Sequence, residues 1–383
     1  MNYPPSKLPQ VGTTIFTRMS QLAAEQGAIN LSQGFPDFDG PALLKERVCH
    51  YLLNGHNQYA PMTGVPALRQ AIASKIKSLY GYSANADSEI TVTSGATEAI
   101  FAAIAALVGP GDEVIVFDPA YDCYEPAISL NGGITHHLPL LPPHFGIDWD
   151  RLKDALHSKT RMVIVNNPHN PTGAVFSRAD LDTLAELLRG SDTLMLGDEV
   201  YEHIVFDGQP HLSLLCHPEL AQRSVVVSSF GKTYHTTGWK VGYVVAPALL
   251  SAEVRKVHQY LTFSTSTPFQ LGLADFLEAE PDHYLQLPSF YQAKRDEFCQ
   301  LLAGSRFRLT PTRGTYFQLL DYSAISDRND VEMAEWLTRE VGVAAIPISV
   351  FYSQPPADLR WLRFCFAKGS ETLQKAAERL CKI

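Results

Sequence analysis

The sequence predicts an α/β protein, in which a mostly parallel sheet covered by helices is followed by a smaller α+β part. Three observations carry this. From residue 90 onward, short apolar runs at 90–93, 114–117, 162–165, 194–196, 225–227 and 241–245 alternate with helical stretches. Nearly every run stops at a polar residue or a glycine, as strands do where a chain leaves its sheet. A long helical pattern over 269–302 then breaks the alternation, and beyond it strand and helix signals are mixed. Strands that are apolar throughout are buried on both faces, and parallel sheets of that kind bind ligands beyond the carboxyl ends of their strands.

The remaining elements follow in order. Ile15, Met19, Leu22 and Ala23 share one face of a short helix, and residues 29–38 then turn sharply at Gly34 and Pro36. Helices are predicted over 42–53 and 67–80, the second with Leu68, Ile72, Ile76 and Leu79 on one side, separated by a loop containing Tyr59, Pro61 and Gly64. After the long helical pattern come strands at 315–320, 343–346 and 362–366, a helix near 331–340 and a last helix from Glu371.

Bulk properties exclude several functions. With 383 residues, 45% apolar and 19% charged, the chain has the composition of a soluble globular protein of about two domains. A net charge of -9 without any basic run argues against nucleic acid as a partner. The longest apolar run, from Ala99 to Val108, is about half of the roughly 20 residues needed to cross a bilayer, so no membrane association is expected. Six cysteines lie scattered with no CxxC and no histidine pair at metal spacing, which reads as buried thiols in a reducing, cytoplasmic setting with no metal site.

The strand ends hold the residues of interest. Ser94-Gly95-Ala96-Thr97 opens a helix after the first strand, where free N–H groups and the helix dipole attract anions. Tyr121 follows the second strand and offers an aromatic face. Asn170 is held between two prolines after the third. Asp198 and Glu199 end an apolar run, and a carboxylate there needs a cation, so one of the two faces a site while the other is structural. Lys232 stands where the chain leaves the run at 225–227, and Lys240 lies across the bend at Gly238. A strand-end lysine can be a nucleophile, a phosphate ligand or a surface charge. The nucleotide-loop reading of Gly231-Lys232-Thr233 fails because GxxxxGK[ST] needs a glycine where Val226 stands. An anion site, an aromatic face, an amide, a carboxylate and a lysine together match pyridoxal 5'-phosphate, whose ring draws off electrons when its nitrogen is kept protonated.

With Asn170-Pro171-Thr172-Gly173, Asp198-Glu199-Val200-Tyr201, Ser229-Phe230-Gly231-Lys232 and Gly238-Trp239-Lys240-Val241-Gly242 in this order, the chain resembles the class I aminotransferases of the fold-type I pyridoxal-phosphate enzymes. Gln33-Gly34-Phe35-Pro36-Asp37-Phe38, Asn57-Gln58-Tyr59, Asp122-Cys123-Tyr124-Glu125-Pro126 and Leu362-Arg363-Phe364-Cys365-Phe366 make the branch with kynurenine, glutamine and bacterial methionine aminotransferases the most similar, the bacterial methionine enzymes above all. The resemblance spans residue 10 to the end. It implies a large cofactor-binding domain over 41–275 built on a seven-stranded sheet, a small domain over 276–383, and an arm over 1–40 that joins the small domain and the substrate pocket.

The resemblance also implies roles. Lys232 would bind the cofactor aldehyde covalently and move the substrate proton, Asp198 would pair with the ring nitrogen, and Asn170 with Tyr201 would reach the ring oxygen. Tyr121 would stack on the ring. Gly95, Ala96, Thr97, Ser229 and Lys240 would hold the phosphate, with Tyr59 reaching it from the other subunit of a homodimer. Lys240 replaces the arginine of aspartate aminotransferases. Arg363 would clamp the substrate carboxylate with help from the Gly34 backbone, and Phe16 would line the side-chain pocket, to which Ile15 and Phe263 are also candidates.

That pocket suits methionine and aromatic donors with a 2-oxo acid acceptor. Apolar walls rank such side chains weakly, so kynurenine- or glutamine-type transamination and β-elimination of cysteine conjugates remain alternatives on the same residues. Arg18 reads as a solvated charge on its helix. A cofactor-binding domain fused to a transcription regulator would need a basic helix-turn-helix segment that the first thirty residues do not contain.

Overall fold

Runs of β-branched and apolar residues do form the strands. The computed structural model describes residues 3–383. Within them lie β1 (Ile29–Asn30), β2 (Ile90–Thr93), β3 (Glu113–Asp118), β4 (Ile134–Pro139), β5 (Thr160–Asn166), β6 (Leu194–Asp198), β7 (Ser224–Ser229), β8 (Gly242–Val245), β9 (Phe317–Asp321), β10 (Val343–Ala344), β11 (Ile346–Pro347) and β12 (Trp361–Cys365). Seven of them form one sheet in the order β2-β8-β7-β6-β5-β3-β4. The run from β7 to β4 is parallel, and only β8 is reversed, antiparallel to both β2 and β7.

The pleat sorts side chains to two apolar layers. Val114, Val116, Ile164, Leu196 and Val227 face a cluster with Ile100 and Ile104 of the helix Ala96–Leu107 and Val254 of the helix Ala248–Leu261. Ile115, Phe117, Val163, Val165, Met195 and Val226 face the other, with Leu181 and Leu184 of the helix Arg178–Leu188 and Ile72 of the helix Pro66–Tyr80. Burial on both faces is what the continuous apolar runs called for.

This topology brings the functional segments to one edge. The carboxyl ends of β2, β3, β5, β6 and β7 all open the same way. Because β8 runs backwards, with Gly242 opposite both Thr93 and Ser229, Lys240, two residues before it, arrives at that edge too.

A second sheet, β11-β12-β9, is antiparallel, with Arg363 of its central strand opposite Leu319 and Ile346. The amino-terminal segment is bound to it: β1 pairs parallel with β10, and the Cys365 N–H donates to the Leu31 carbonyl at 2.8 Å. The turn at Gly34 is thereby pressed on β9, where a Cβ would sit 2.8 Å from the Phe317 ring, so only glycine fits.

Some expectations are corrected. The helical pattern over 269–302 is two helices, Thr267–Ala279 and His283–Leu301, because Pro281 cannot continue the first. The strand expected from Thr315 begins at Phe317, since Thr315 has φ +64°. The 343–346 strand is split into β10 and β11, which join different sheets. β4 was not foreseen. All six cysteines are free, but only Cys365 is buried; Cys123, Cys216 and Cys299 are half-buried, and Cys49 and Cys381 are exposed.

Candidate active site

The converging strand ends and the Gly34 turn enclose a cavity of about 350 Å³. Its wall contains Phe16, Gly34, Gly95, Ala96, Thr97, Tyr121, Asn170, Asp198, Tyr201, Ser229, Lys232, Lys240 and Arg363, but not Tyr59. Ile15 and Phe263 do not line it. Ile15 packs on the core, whereas Phe263 is on the surface, its ring perpendicular to that of Tyr59 with the centroids 5.3 Å apart. Tyr59 is 84% exposed and faces away from its own chain. Arg18 pairs with Glu335 on the surface, as its solvated position suggested.

Asp198 ends β6 at 4% exposure. Burial raises its carboxyl to about 6, a rise offset in part by the Tyr124 hydroxyl, which donates to Oδ2 at 2.6 Å. Asn166 fixes the same turn by donating from Nδ2 to the Asp198 carbonyl at 2.8 Å. No lysine, arginine or histidine is within salt-bridge distance of this carboxylate among the described residues, so it faces the cavity in want of a cation. Glu199 takes the structural part, accepting from His211 Nε2 and the Leu214 N–H, each at 2.9 Å.

Lys232 follows β7 in the short helix Phe230–Thr233. Its amine donates to the Gly34 carbonyl and the Tyr316 hydroxyl, both at 3.0 Å. Burial lowers its pKa to about 8, with the Arg363 and Lys240 charges adding to the effect. A neutral, nucleophilic amine is therefore accessible near neutral pH.

Arg363 is 1% exposed and lies flat over the Phe317 ring, 3.9 Å from its centroid. It donates from one terminal nitrogen to Asn170 Oδ1 at 2.8 Å and from the other to the Ser32 carbonyl at 2.9 Å, while its Nε has no partner. A buried guanidinium bonded only to neutral oxygens retains its charge and free N–H groups for an incoming anion. Because Asn170 accepts with its oxygen, its amide nitrogen is left to donate. At the opposite wall Gly95, at φ +84°, lets the Lys240 side chain cross close by, since a Cβ there would be 3.2 Å from the lysine Nζ.

Sequence reasoning missed Tyr124, Asn166 and Tyr316. Tyr124 lay inside the motif over 122–126, where its ring reads as core, and Asn166 directly follows the third apolar run without a role being given to it. Tyr316 offered no signal, because an aromatic beside a buried strand reads as core. Among the described residues, no cluster of histidine, cysteine, aspartate or glutamate has the arrangement of a metal site, and no helix is long and apolar enough to cross a membrane.

The donor set fits pyridoxal 5'-phosphate: a buried carboxylate lacking a cation for the ring nitrogen, an amine for the aldehyde, and a glycine-opened helix start with a lysine for the phosphate. Comparison with known proteins agrees. The family model for class I and II aminotransferases matches residues 26–380. The chain is 61% identical over 381 residues to methionine aminotransferase of Escherichia coli strain K12, covering 99% of this chain and 98% of that one. It is 36% identical over 402 residues to kynurenine–oxoglutarate transaminase 1 of Mus musculus, covering 96% and 93%. The crystal structure of YbdL from Escherichia coli, identified there as a methionine aminotransferase, superposes with a TM-score of 0.98 at 59% identity over 100% of both chains. That of N-succinyldiaminopimelate aminotransferase from Mycobacterium tuberculosis gives 0.95 at 39%, over 99% and 100%. With family, fold and donor set in accord, the chain belongs to the class I and II aminotransferases, enzymes that work with pyridoxal 5'-phosphate.

Proposed function

We propose that this aminotransferase moves the amino group of methionine, and of other apolar or aromatic L-amino acids, to a 2-oxo acid in two half-reactions on one site. The observation that carries this reading is the unneutralised Arg363 guanidinium in the same cavity as the Lys232 amine, which selects a substrate with a carboxylate next to its reacting carbon. The likeness to methionine aminotransferase supports the donor.

The contacts support the residue roles that the resemblance implies. Arg363, with the Gly34 backbone, grips the α-carboxylate and presents the substrate Cα to Lys232. Lys232 would hold the cofactor aldehyde and, as a free amine, would take the substrate Cα proton on Nζ. Asp198, held by Tyr124, keeps the ring nitrogen protonated. Bound pyridoxal phosphate supplies the sink for the electron pair left at Cα. Asn170 and Tyr201 would donate to the ring oxygen, Tyr121 would cover the ring, and Gly95, Ala96, Thr97, Ser229 and Lys240 would hold the phosphate. Phe16, backed by the Gln33 side chain that donates to its carbonyl at 3.1 Å, bounds the apolar end where a thioether or an aromatic ring fits.

We read residues 41–275 as the cofactor domain and 276–383, with the arm over 1–40, as the smaller one. A homodimer is the working form, because Tyr59 is exposed together with the Phe263 ring it packs against, a surface that a second copy would cover while bringing Tyr59 to its phosphate. Six free thiols fit a cytoplasmic enzyme.

The test is a panel of amino donors against several 2-oxo acids, following the product oxo acid. Methionine should rank among the best. Kynurenine or glutamine in first place, with methionine inert, would replace this reading, and pyruvate with ammonia from a cysteine conjugate would reveal β-elimination. Lys232→Ala should lose both the visible absorbance of the purified protein and all turnover. A yellow, active variant would contradict the role of this lysine.

A further inference from the structure

The Lys232 amine is held by two oxygens, and the two are themselves linked. Its Nζ donates to the Gly34 carbonyl and to the Tyr316 hydroxyl at 3.0 Å each, while the Tyr316 hydroxyl donates to the same Gly34 carbonyl. Tyr316 is fully buried just ahead of β9, and its ring is fixed edge-on by Tyr201 at 5.2 Å and by the tilted ring of Tyr291 at 5.6 Å, centroid to centroid. Thr315, with φ +64°, provides the backbone turn that points Tyr316 there, and the glycine at 34 lets the turn close on Phe317. Three parts of the chain distant in sequence thus meet on one nitrogen.

We propose that the Tyr316 hydroxyl and the Gly34 carbonyl form a cradle that receives the Lys232 amine whenever it is released and aims its lone pair into the cavity, making Tyr316 a positioning residue for the Cα proton transfer. The reasoning is donor counting. A neutral amine has two hydrogens and one lone pair. The two cradle oxygens take the two hydrogens, so the lone pair has one direction left, the open side where the cavity lies. When Nζ accepts the Cα proton, that third position becomes an N–H, ready to give the proton back. Without the hydroxyl the amine would rotate between orientations, and its basic lobe would point at Cα only part of the time. Tyr316 has no such function if it merely packs, because a phenylalanine ring would pack equally well.

The inference rests on the transamination reading, and its test separates the two. Tyr316→Phe keeps the ring contacts and removes the oxygen. In cofactor-free protein, Lys232 is labelled with an amine-reactive acylating agent across pH and read by peptide mass spectrometry, which requires no turnover. The wild-type midpoint should lie near the value of about 8 set by burial and by the neighbouring Arg363, Lys240, Asp198 and Cys365. It should fall in Tyr316→Phe, because an acceptor that stabilises the ammonium is gone. With an amino acid the wild type does turn over, deuterated at Cα, kcat should drop roughly tenfold or more and the primary isotope effect should rise, while cofactor affinity and thermal midpoint stay close to wild type. Tyr316→Met, which also lacks the hydroxyl, gives the same readings should the phenylalanine chain not fold. An unchanged labelling midpoint together with a wild-type isotope effect overturns the proposal, even if turnover is lower. Failure of every donor while the midpoint still shifts would count against the substrate reading and leave the cradle standing.

Discussion

The behaviour of Asp198 is set by a single phenol. Burial alone leaves the carboxyl reluctant to ionise, and the Tyr124 hydrogen bond is the largest contact that opposes this. A hydrogen bond to a charged group contributes about 1.5–3 kcal/mol, which corresponds to about one pKa unit or more. Tyr124→Phe should therefore move Asp198 from about 6 up across neutrality. Since the ring nitrogen is best paired with an ionised carboxylate, cofactor affinity at pH 7 should weaken by roughly tenfold. The deficit should shrink as pH is raised, because the carboxylate ionises above its higher pKa, and fluorescence titration of the cofactor-free protein at several pH values measures this. At this scale the sequence was legible where chemistry forces an unusual residue on a strand end, as at Asp198 and Lys232, whereas Arg363, in the middle of β12, was reached only through the family resemblance. It was silent where the functional atom is one oxygen on an aromatic ring, as at Tyr124 and Tyr316, since the ring satisfies the core whether or not the oxygen is used.

Between elements, the tightest junction is a buried polar cluster below the cavity. Lys75 of the helix Pro66–Tyr80 donates to Glu202 Oε1 and to the Tyr243 hydroxyl, both at 2.7 Å. Tyr80, Ser228 and Tyr243 donate to the same carboxylate. Glu202 follows Tyr201, and Ser228 precedes Ser229, so the cluster ties the ends of β6 and β7 in register just beneath the site. Burial alone would raise the Glu202 carboxyl, but Lys75 and the surrounding donors hold it well below the usual range. Its folded pKa being depressed, the stabilisation is present above the ordinary carboxylate pKa of roughly 4.3 and is lost as pH falls below it. Lys75→Met should cost about 3–5 kcal/mol by leaving a buried charge unpaired, and adding Glu202→Gln should recover much of that, as read by urea unfolding. Element boundaries were legible in proportion to how apolar the strand is. β2 and the strands around β6 and β7 announced themselves. β4, Ile134–Pro139, did not, because as an edge strand it carries two histidines and a proline and buries little. Pro281 was a stop signal overlooked inside a pattern periodic on both sides of it.

For the whole molecule, the exposure of Tyr59 makes a prediction that no single chain can meet. If each site borrows Tyr59 from its neighbour, a Lys232→Ala chain and a Tyr59→Ala chain are each defective at both sites of their own dimers. Mixed dimers, formed by unfolding and refolding the two together, contain one site with an intact lysine and a borrowed intact tyrosine. Cofactor affinity at that site should return to the wild-type value, and sedimentation should report a mass about twice that of the 42.3 kDa chain. Affinity that stays at the Tyr59→Ala level in the mixture would place Tyr59 outside the site. The overall architecture was readable because alternation of strand and helix leaves few ways to build a sheet. The pairing of β1 with β10 was not, since two-residue strands carry no period. That pairing sets an order of events during synthesis. The residues facing the cofactor from within one chain lie between Gly95 and Lys240, but Arg363 and the partners that hold Gly34 emerge among the last residues made. A growing chain therefore completes the strand ends proposed to hold the cofactor before it presents the guanidinium proposed to grip an amino acid.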